Sequence, residues 1–389
     1  MKIVHIVLAG YRDDFAYQEN LLSQKHRELG YEVTVITSQL YVDENKQRRF
    51  QDTGTFVNKY GVKVVVLPCT THVNALRLFI NESKGLSQAL QNENPDILFV
   101  HNFMYKDVHQ VLRYARRHPQ LPVYVDCHLD YYNTSYGTLY GRFKAVITGR
   151  RARCLVPVTR QFWGTTPWRV DFMRDVYRLP ADKVDFLLMG SDENKIIHKD
   201  RQEVRSRVRG QYGIPDDAFL LVTGGKLDRR KQQHLLMEAA RRMATENVYL
   251  LVFGAPSAEM KDSFASYAGD KNIVQVGWVS ADDTYDLFLA SDLAVFPGTH
   301  SVLWEEAVAC AVPIMTRHWE GMEHINHCDN AILLPEVSVD TLVDNIRCAM
   351  QPERYAALRQ AAVEAAPYFY LSGVALRSVG LDNNENKSI

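Results

Sequence analysis

Two short stretches of the chain combine residue types suited to a phosphorylated ligand that also carries hydroxyl groups. Thr223-Gly224-Gly225-Lys226-Leu227-Asp228-Arg229-Arg230-Lys231 follows an apolar run and precedes an amphipathic one. Glycine lets backbone come close to a ligand, and cations beside a helix start suit an anion. Lys226 and Lys231 could therefore approach one diphosphate from a loop and from a helix start; a solvated basic turn has the same composition. The second stretch, Phe296-Pro297-Gly298-Thr299-His300-Ser301-Val302-Leu303-Trp304-Glu305-Glu306-Ala307, reads as strand end, turn and helix. The turn amides, from Gly298 through His300, Ser301 and Val302, could bind a diphosphate. Glu305 and Glu306 fall in the first helical turn, where the dipole favours a carboxylate. The alternative use of such a carboxylate is to accept hydrogen bonds from the two hydroxyls of a ribose.

The first half offers weaker candidates. Asp126-Cys127-His128-Leu129-Asp130 follows an apolar strand, with Asp126 and Asp130 as candidate hydroxyl contacts, and His101-Asn102-Phe103 follows another. The loop Ala9–Asn20 holds Gly10 and, before a helix, Tyr17-Gln18-Glu19-Asn20; these could bond ligand hydroxyls or simply cap the helix. Phe162, Trp163 and Trp168 read as core.

Strand and helix patterns alternate in both halves. Ile3–Leu8, Val33–Thr37, Val62–Leu67, Asp96–Val100, Val123–Asp126, Val156–Val158 and Val184–Leu188 read as strands, with helices at Glu19–Leu29, ending before Gly30, and Val108–Arg117. A second series runs from Phe219–Thr223 through Val248–Phe253, Ile273–Val276, Leu293–Phe296 and Pro313–Thr316, with helices at Gln232–Met243, Asp283–Ala290, from Glu305, at Val339–Met350 and at Glu353–Ala366. Nearly continuous apolar strands between helices predict parallel sheets covered on both faces. The expected architecture is α/β: two doubly wound, Rossmann-like domains facing a central cleft, residues 1–190 and 191–366, with a tail, 367–389, that could pack back on the first. Ligands in such sheets bind outside the carboxyl ends of the strands.

The 389 residues are 46% hydrophobic and 23% charged with net charge −1, a globular composition without the basic excess of a nucleic-acid partner. The six cysteines form no C-x-x-C pair, which predicts reduced thiols in a cytoplasmic protein. Residues 3–8 are too short an apolar run for a signal peptide, and no stretch suits a transmembrane helix. Arg142, Lys144, Arg150, Arg151 and Arg153 form a local basic run: a solvated surface, a face toward anionic lipid at the inner side of the membrane, or one toward a pyrophosphate-bearing ligand.

Glu306-Ala307-Val308-Ala309-Cys310-Ala311-Val312-Pro313, the Gly-Lys turn before it, Gly277-Trp278-Val279-Ser280, and Gly321–Ile325 with Asn330–Leu334 together resemble, in order, the GT4-type retaining glycosyltransferases of the GT-B fold. The resemblance spans most of residues 219–335. It implies transfer of a sugar from a nucleoside-diphosphate sugar to a hydroxyl of a glycan or lipid-linked glycan, as in surface polysaccharide synthesis, without a metal or other cofactor. By that resemblance Lys226 and Lys231 neutralise the leaving diphosphate, Glu306 holds the ribose, His128 belongs to the catalytic centre, and Gly10, Gly225 and the Gly298–Val302 turn line the donor. The acceptor side would fall to Tyr17, His101, Asp126 and Asp130. One departure stands out: the family spaces two glutamates E-x7-E, and the first falls on Gly298. Its task would pass to His300, to backbone amides, or to nothing. The competing functions are a nucleotide-sugar epimerase of the same fold and an inactive nucleotide-sugar-binding protein. A dinucleotide oxidoreductase would need G-x-G-x-x-G where Ala9-Gly10-Tyr11-Arg12-Asp13-Asp14 stands.

Overall fold

The computed structural model describes residues 1–13, 17–42, 47–70 and 82–382. They divide into two units, Met1–Leu188 with the segment from Leu371, and Met189–Tyr370. Asp14, Phe15 and Ala16 of the first candidate loop, and the tail beyond Asp382, lie outside the described residues.

Along the first unit run β1 (Lys2–Val7), α1 (Gln18–Glu28), β2 (Glu32–Ser38), β3 (Leu40–Val42), β4 (Arg48–Phe50), β5 (Gly54–Val57), β6 (Lys63–Leu67), α2 (Leu86–Glu93), β7 (Ile97–His101), α3 (Val108–Arg117), β8 (Val123–Cys127), α4 (Leu139–Leu155), β9 (Thr159–Gly164), α5 (Pro167–Asp175) and β10 (Val184–Phe186). The sheet order is β10-β9-β8-β7-β1-β2-β6-β5. β1 is central, and its apolar run is buried because helices cover both faces. Sequence order reverses between β1 and β7, so the loops after these strands part there and open a crevice. Not every strand is parallel. β5 runs antiparallel to β6 at the sheet edge, and β3 pairs antiparallel with β4 in a separate two-stranded sheet.

One expected strand is displaced. Val156–Val158 is a turn, not a strand, because α4 runs through to Leu155. The amides of Val156 and Val158 then close back on the carbonyls of Arg153 and Leu155, and extension begins only at Thr159.

The second unit contains α6 (Arg201–Tyr212), β11 (Phe219–Gly224), α7 (Gln233–Arg242), β12 (Val248–Phe253), α8 (Lys261–Ala265), β13 (Ile273–Gly277), α9 (Ala281–Ala290), β14 (Leu293–Phe296), α10 (Leu303–Ala309), β15 (Ile314–Arg317), β16 (Ala331–Leu334), α11 (Val339–Met350) and α12 (Pro352–Ala365). Its sheet is wholly parallel in the order β13-β12-β11-β14-β15-β16. Here the reversal falls between β11 and β14. The polar stretch before β11 is helical: Asp200 caps α6 through the amides of Gln202 and Glu203, and Gly213 ends it in the left-handed region at φ 65°. Arg209, fully buried, pairs with Asp292 at 2.8 Å and ties α6 to the start of β14.

After α12 the chain returns to the first unit as α13 (Leu371–Ser378). Leu371, Val374 and Ala375 join Ile3, Leu22, Phe99 and Trp163 in one apolar cluster. Trp163 Nε1 donates to the carbonyl of Ser378 at 2.9 Å.

Candidate functional site

Leu221 of β11 pairs with Leu293 of β14, so the turns leaving these strands are neighbours at the point where strand order reverses. The first turn is built tightly. A Cβ on Gly224 would lie 2.4 Å from the Phe253 ring, and Gly225 takes φ +95°. Asp228 caps the following helical turn by accepting from the amides of Arg230 and Lys231, and its other oxygen holds the Arg230 guanidinium at 2.8 Å. The two lysines differ. Lys226 is 69% exposed, its Nζ 3.9 Å from Asp228. Lys231 is partly buried, and its Nζ donates to the carbonyls of Thr299 at 2.8 Å and His300 at 2.7 Å. Burial pulls its pKa down to about 8 against the attraction of Asp228.

The second turn presses onto the first. Thr299 N donates to Arg230 O at 3.2 Å. A Cβ at position 298 would lie 2.3 Å from Arg230 O and 2.4 Å from the Lys231 carbonyl carbon. Gly298 is therefore fixed by backbone contact, and no side chain fits there in this conformation. The carboxylate missing from the motif has no counterpart at this position. Beyond Gly298, no described group accepts from the backbone N–H of His300, Ser301 or Val302.

Glu305 and Glu306 are consecutive and chemically opposite. Glu306 is partly buried, and no described residue hydrogen-bonds its carboxylate. Burial, aided by repulsion from Glu305, pushes its pKa up to about 7, with Lys195 opposing. Glu305 is fully buried. Its Oε1 accepts from His300 Nε2 at 2.8 Å and from His324 Nε2 at 3.1 Å. Burial alone would raise Glu305, but the two imidazoles hold it at about 2. Sequence reasoning left Glu305 between capping and ribose contact, assigned the ribose to Glu306 by resemblance, and gave His324 no role. The available signal was a charged residue between Trp304 and Ala307 on the inward side of an apolar helix, which demands a buried partner.

His300, Glu305 and His324 are also the described residues able to hold a metal ion, their ligand atoms lying within 4.8 Å of one another. The nitrogen–oxygen separations are ordinary hydrogen-bond lengths, and these bonds satisfy the buried carboxylate without an ion.

In the first unit, β1, β7 and β8 are neighbours, and the candidates gather at their carboxyl ends. Gly10 takes φ +101°, and its missing Cβ makes room for Tyr41, 2.3 Å away, so packing within the unit explains this glycine. Tyr17 precedes α1 and is 54% exposed. His128 is 30% exposed, but its Nε2 is buried, 3.4 Å from Asp126 Oδ2. Burial works to lower His128, yet the Asp126 charge and hydrogen bond and the Glu19 charge together raise it. The other candidates need correction. Asp126 is fully buried, accepting from His101 Nδ1 at 2.6 Å and from Asn102 N at 3.0 Å, so its oxygens are committed inside the protein. His101 is 5% exposed with both nitrogens engaged. Asp130 caps its own loop through the amides of Tyr132 and Asn133 and faces Arg169 at 3.3 Å. All three bond the loops that carry them; Asp126 and His101 are buried, and Asp130 is partly exposed.

Residues 20–190 match the model of a glycosyl transferase 4-like domain, and residues 204–367 that of the glycosyl transferases group 1. Among curated proteins, the chain is 24% identical over 243 residues to D-inositol 3-phosphate glycosyltransferase 1 of Catenulispora acidiphila, covering 58% of this chain and 57% of that one. It is 25% identical over 147 residues to the α-galactosylglucosyldiacylglycerol synthase of Streptococcus pneumoniae, covering 36% and 39%. The matched stretches thus cover 57% of the length of the first of these relatives and 39% of the second. Anabaena HepE, solved in complex with UDP, superposes with TM-score 0.67 over 97% of this chain and 98% of its own, at 16% identity. The two family models between them take in most of both units, and the chain belongs to the group 1, GT4-type glycosyltransferases of the GT-B fold.

Proposed function

We propose that the second unit binds a nucleoside-diphosphate sugar and that the chain transfers the sugar, with retention, to a hydroxyl of a glycan or lipid-linked glycan bound by the first. One observation carries this reading. Lys231 and the uncommitted amides of His300–Val302 lie on two loops that leave neighbouring strands, the unpartnered Glu306 carboxylate lies on α10 directly after the second, and Lys231 itself bonds the loops together. A cation with aligned amides suits a diphosphate, and a partnerless carboxylate suits the vicinal hydroxyls of a ribose. The UDP in the HepE structure supports a nucleotide of that kind.

Cleavage of the donor bond makes an oxocarbenium-like sugar and an anionic diphosphate. Lys226, Lys231 and the turn amides stabilise that leaving group as charge develops. No carboxylate is available at position 298, so the acceptor proton goes to the departing phosphate, and His300, backed by Glu305, is the candidate for the missing function. Catalysis is metal-independent. His128 is the first unit's candidate for a role in the transfer.

The acceptor side is served by α4. Leu139, Tyr140, Phe143 and Val146 are 85%, 51%, 60% and 53% exposed on this helix. Arg142, Lys144 and Arg150 accompany them, and Leu139–Leu155 contains no acidic residue. Arg151 and Arg153 are instead spent on the carbonyls of Met104 and Tyr177. An apolar stripe flanked by cations fits an anionic lipid surface, which would bring the enzyme to a lipid-linked acceptor. Among the described residues no helix is long and apolar enough to cross a membrane.

The test is a thermal-shift panel of nucleoside-diphosphate sugars, followed by transfer with EDTA present and NMR assignment of the product anomer. Stabilisation by no nucleotide sugar would overturn the reading. Stabilisation without transfer to any acceptor would favour a binding protein, the alternative that Gly298 raises.

A further inference from the structure

An unbroken line of imidazoles crosses the core of the first unit, from the carbonyl of Ala375 in α13 to the carboxylate of Asp126 at the end of β8. His26 Nε2 lies 2.7 Å from Ala375 O, and His26 Nδ1 lies 3.1 Å from His5 Nε2. His5 Nδ1 is 2.9 Å from His101 Nε2, and His101 Nδ1 is 2.6 Å from Asp126 Oδ2. His5 and His26 are fully buried and His101 is 5% exposed.

Both ends of this line are acceptors; Ser378 Oγ, 3.4 Å from His26 Nε2, gives its own proton to Ala375 O at the shorter distance of 2.7 Å. A carbonyl oxygen has no proton to give, and neither has an ionised carboxylate. Each of the four contacts needs one proton, while three neutral imidazoles bring three. We infer that the line holds one excess proton, resting on His101, and that His101 is thereby a positioning residue that fixes Asp126 and, through it, His128.

The polarity follows from the ends. With the charge on His101, its two N–H groups donate to Asp126 and to His5 Nδ1. His5 Nε2–H then donates to His26 Nδ1, and His26 Nε2–H donates to Ala375 O. The opposite arrangement needs two transfers: His101 Nε2 gives its proton to His5 Nδ1 as His5 Nε2 gives one to His26 Nδ1. Net charge is unchanged, but the cation would then face only a carbonyl, far from the carboxylate. Burial also disfavours charge on the inner rings, lowering His26 to about 4 and His5 well below the usual imidazole value. Burial would raise Asp126, but His101 and His128 hold it well below the carboxylate range.

The consequence reaches His128. Asp126 Oδ1 is fixed by Asn102 N, and Oδ2 lies between His101 Nδ1 and His128 Nε2. One anion thus sits between two imidazoles. How strongly His128 holds its own proton depends on whether His101 is charged. The other charges that act on His128 are Glu19 and Arg169. That His128 stands at the reaction centre belongs to the transfer reading above. The proton inventory does not depend on it and is measured without substrate.

The test is two-bond 1H–15N correlation spectroscopy on the full chain labelled with 15N-histidine, from pH 6 to 9. Expected at pH 8 are neutral Nε2–H tautomers for His5 and His26 and two protonated nitrogens for His101. An Nδ1–H tautomer at His5 or His26, or a singly protonated His101, overturns the inference. His5→Gln, which keeps one donor and one acceptor, should leave His101 doubly protonated. His5→Leu should strip one proton from His101 and raise the His128 titration midpoint by about one pH unit, since Asp126 loses a cationic neighbour. An unmoved His128 midpoint in a folded His5→Leu chain would reduce the line to packing.

Discussion

Lys231 and His300 belong to separate motifs, yet the Lys231 ammonium donates to the His300 carbonyl at 2.7 Å while also holding Thr299 O. The lysine ties down the turn whose amides are uncommitted. Lys231→Ala is expected to lower kcat/KM by about 10²–10³, the scale of losing one preorganised donor to a developing anion, and to destabilise the fold as well. Exposed Lys226→Ala should abolish transfer while leaving thermal stability within about 0.5 kcal/mol. Equal turnover in either variant would remove the basic pair from the mechanism.

The same lysine predicts a pH dependence of binding. Its pKa in the free protein is about 8, and a diphosphate would raise it. The favourable contribution is then complete below pH 8 and declines as pH rises above it. Calorimetry of UDP binding in buffers of different ionisation enthalpy should show proton uptake at pH 8. Binding without proton uptake would place the diphosphate away from Lys231.

Glu306 should trade stability for binding. Its pKa is about 7 in the folded chain against an ordinary value of 4.5, so between these pH values the folded state keeps a proton that the unfolded state releases. Stability therefore falls as pH rises from about 4.5 to 7, by on the order of 1–3 kcal/mol. In urea unfolding, Glu306→Gln should remove that fall and be the more stable protein at pH 8. In calorimetry, Glu306→Ala should bind UDP at least about tenfold more weakly. A variant that bound UDP as well as the parent would end the ribose assignment.

The chemistry that was legible in the sequence is the chemistry carried by local pattern. Gly224-Gly225 and Lys226 to Lys231 sit after an apolar strand, and Glu306 opens a helix after another; both follow from periodicity and turn residues. The reversal of strand order that makes these two loops neighbours is a property of the sheet, and no spacing along the chain encodes it. His101 and Asp126 looked like ligand contacts because both follow strands. They are buried because the rings of His5 and His26, distant in sequence, arrive on β1 and α1 to meet them. Glu305 was passed over for the same reason: its partners His300 and His324 come from two loops, and only folding shows that they share one oxygen. Val156–Val158 misled through composition, since apolar β-branched residues at a helix end resemble a strand until the turn closes on them.

Gly298 gives the sharpest test of how far this chain departs from its family. Restoring the motif by Gly298→Glu would bring a side chain against the backbone of Arg230 and Lys231, where even a Cβ lies 2.3 Å from a carbonyl oxygen. The two turns would have to separate, breaking the bond from Thr299 N to Arg230 O and moving the carbonyls that Lys231 holds. Overpacking of this kind costs about 1–3 kcal/mol. Gly298→Ala and Gly298→Glu should therefore both lower the melting temperature and weaken UDP binding, the glutamate rescuing nothing. His300→Ala, by contrast, removes a ring and leaves the turn backbone free to keep its course. It should spare UDP affinity and reduce binding of the intact nucleotide sugar and turnover, on the reading that His300 serves where the family has its first glutamate. Gain of activity in Gly298→Glu would mean that the loops open readily and that the family's carboxylate position is still accessible.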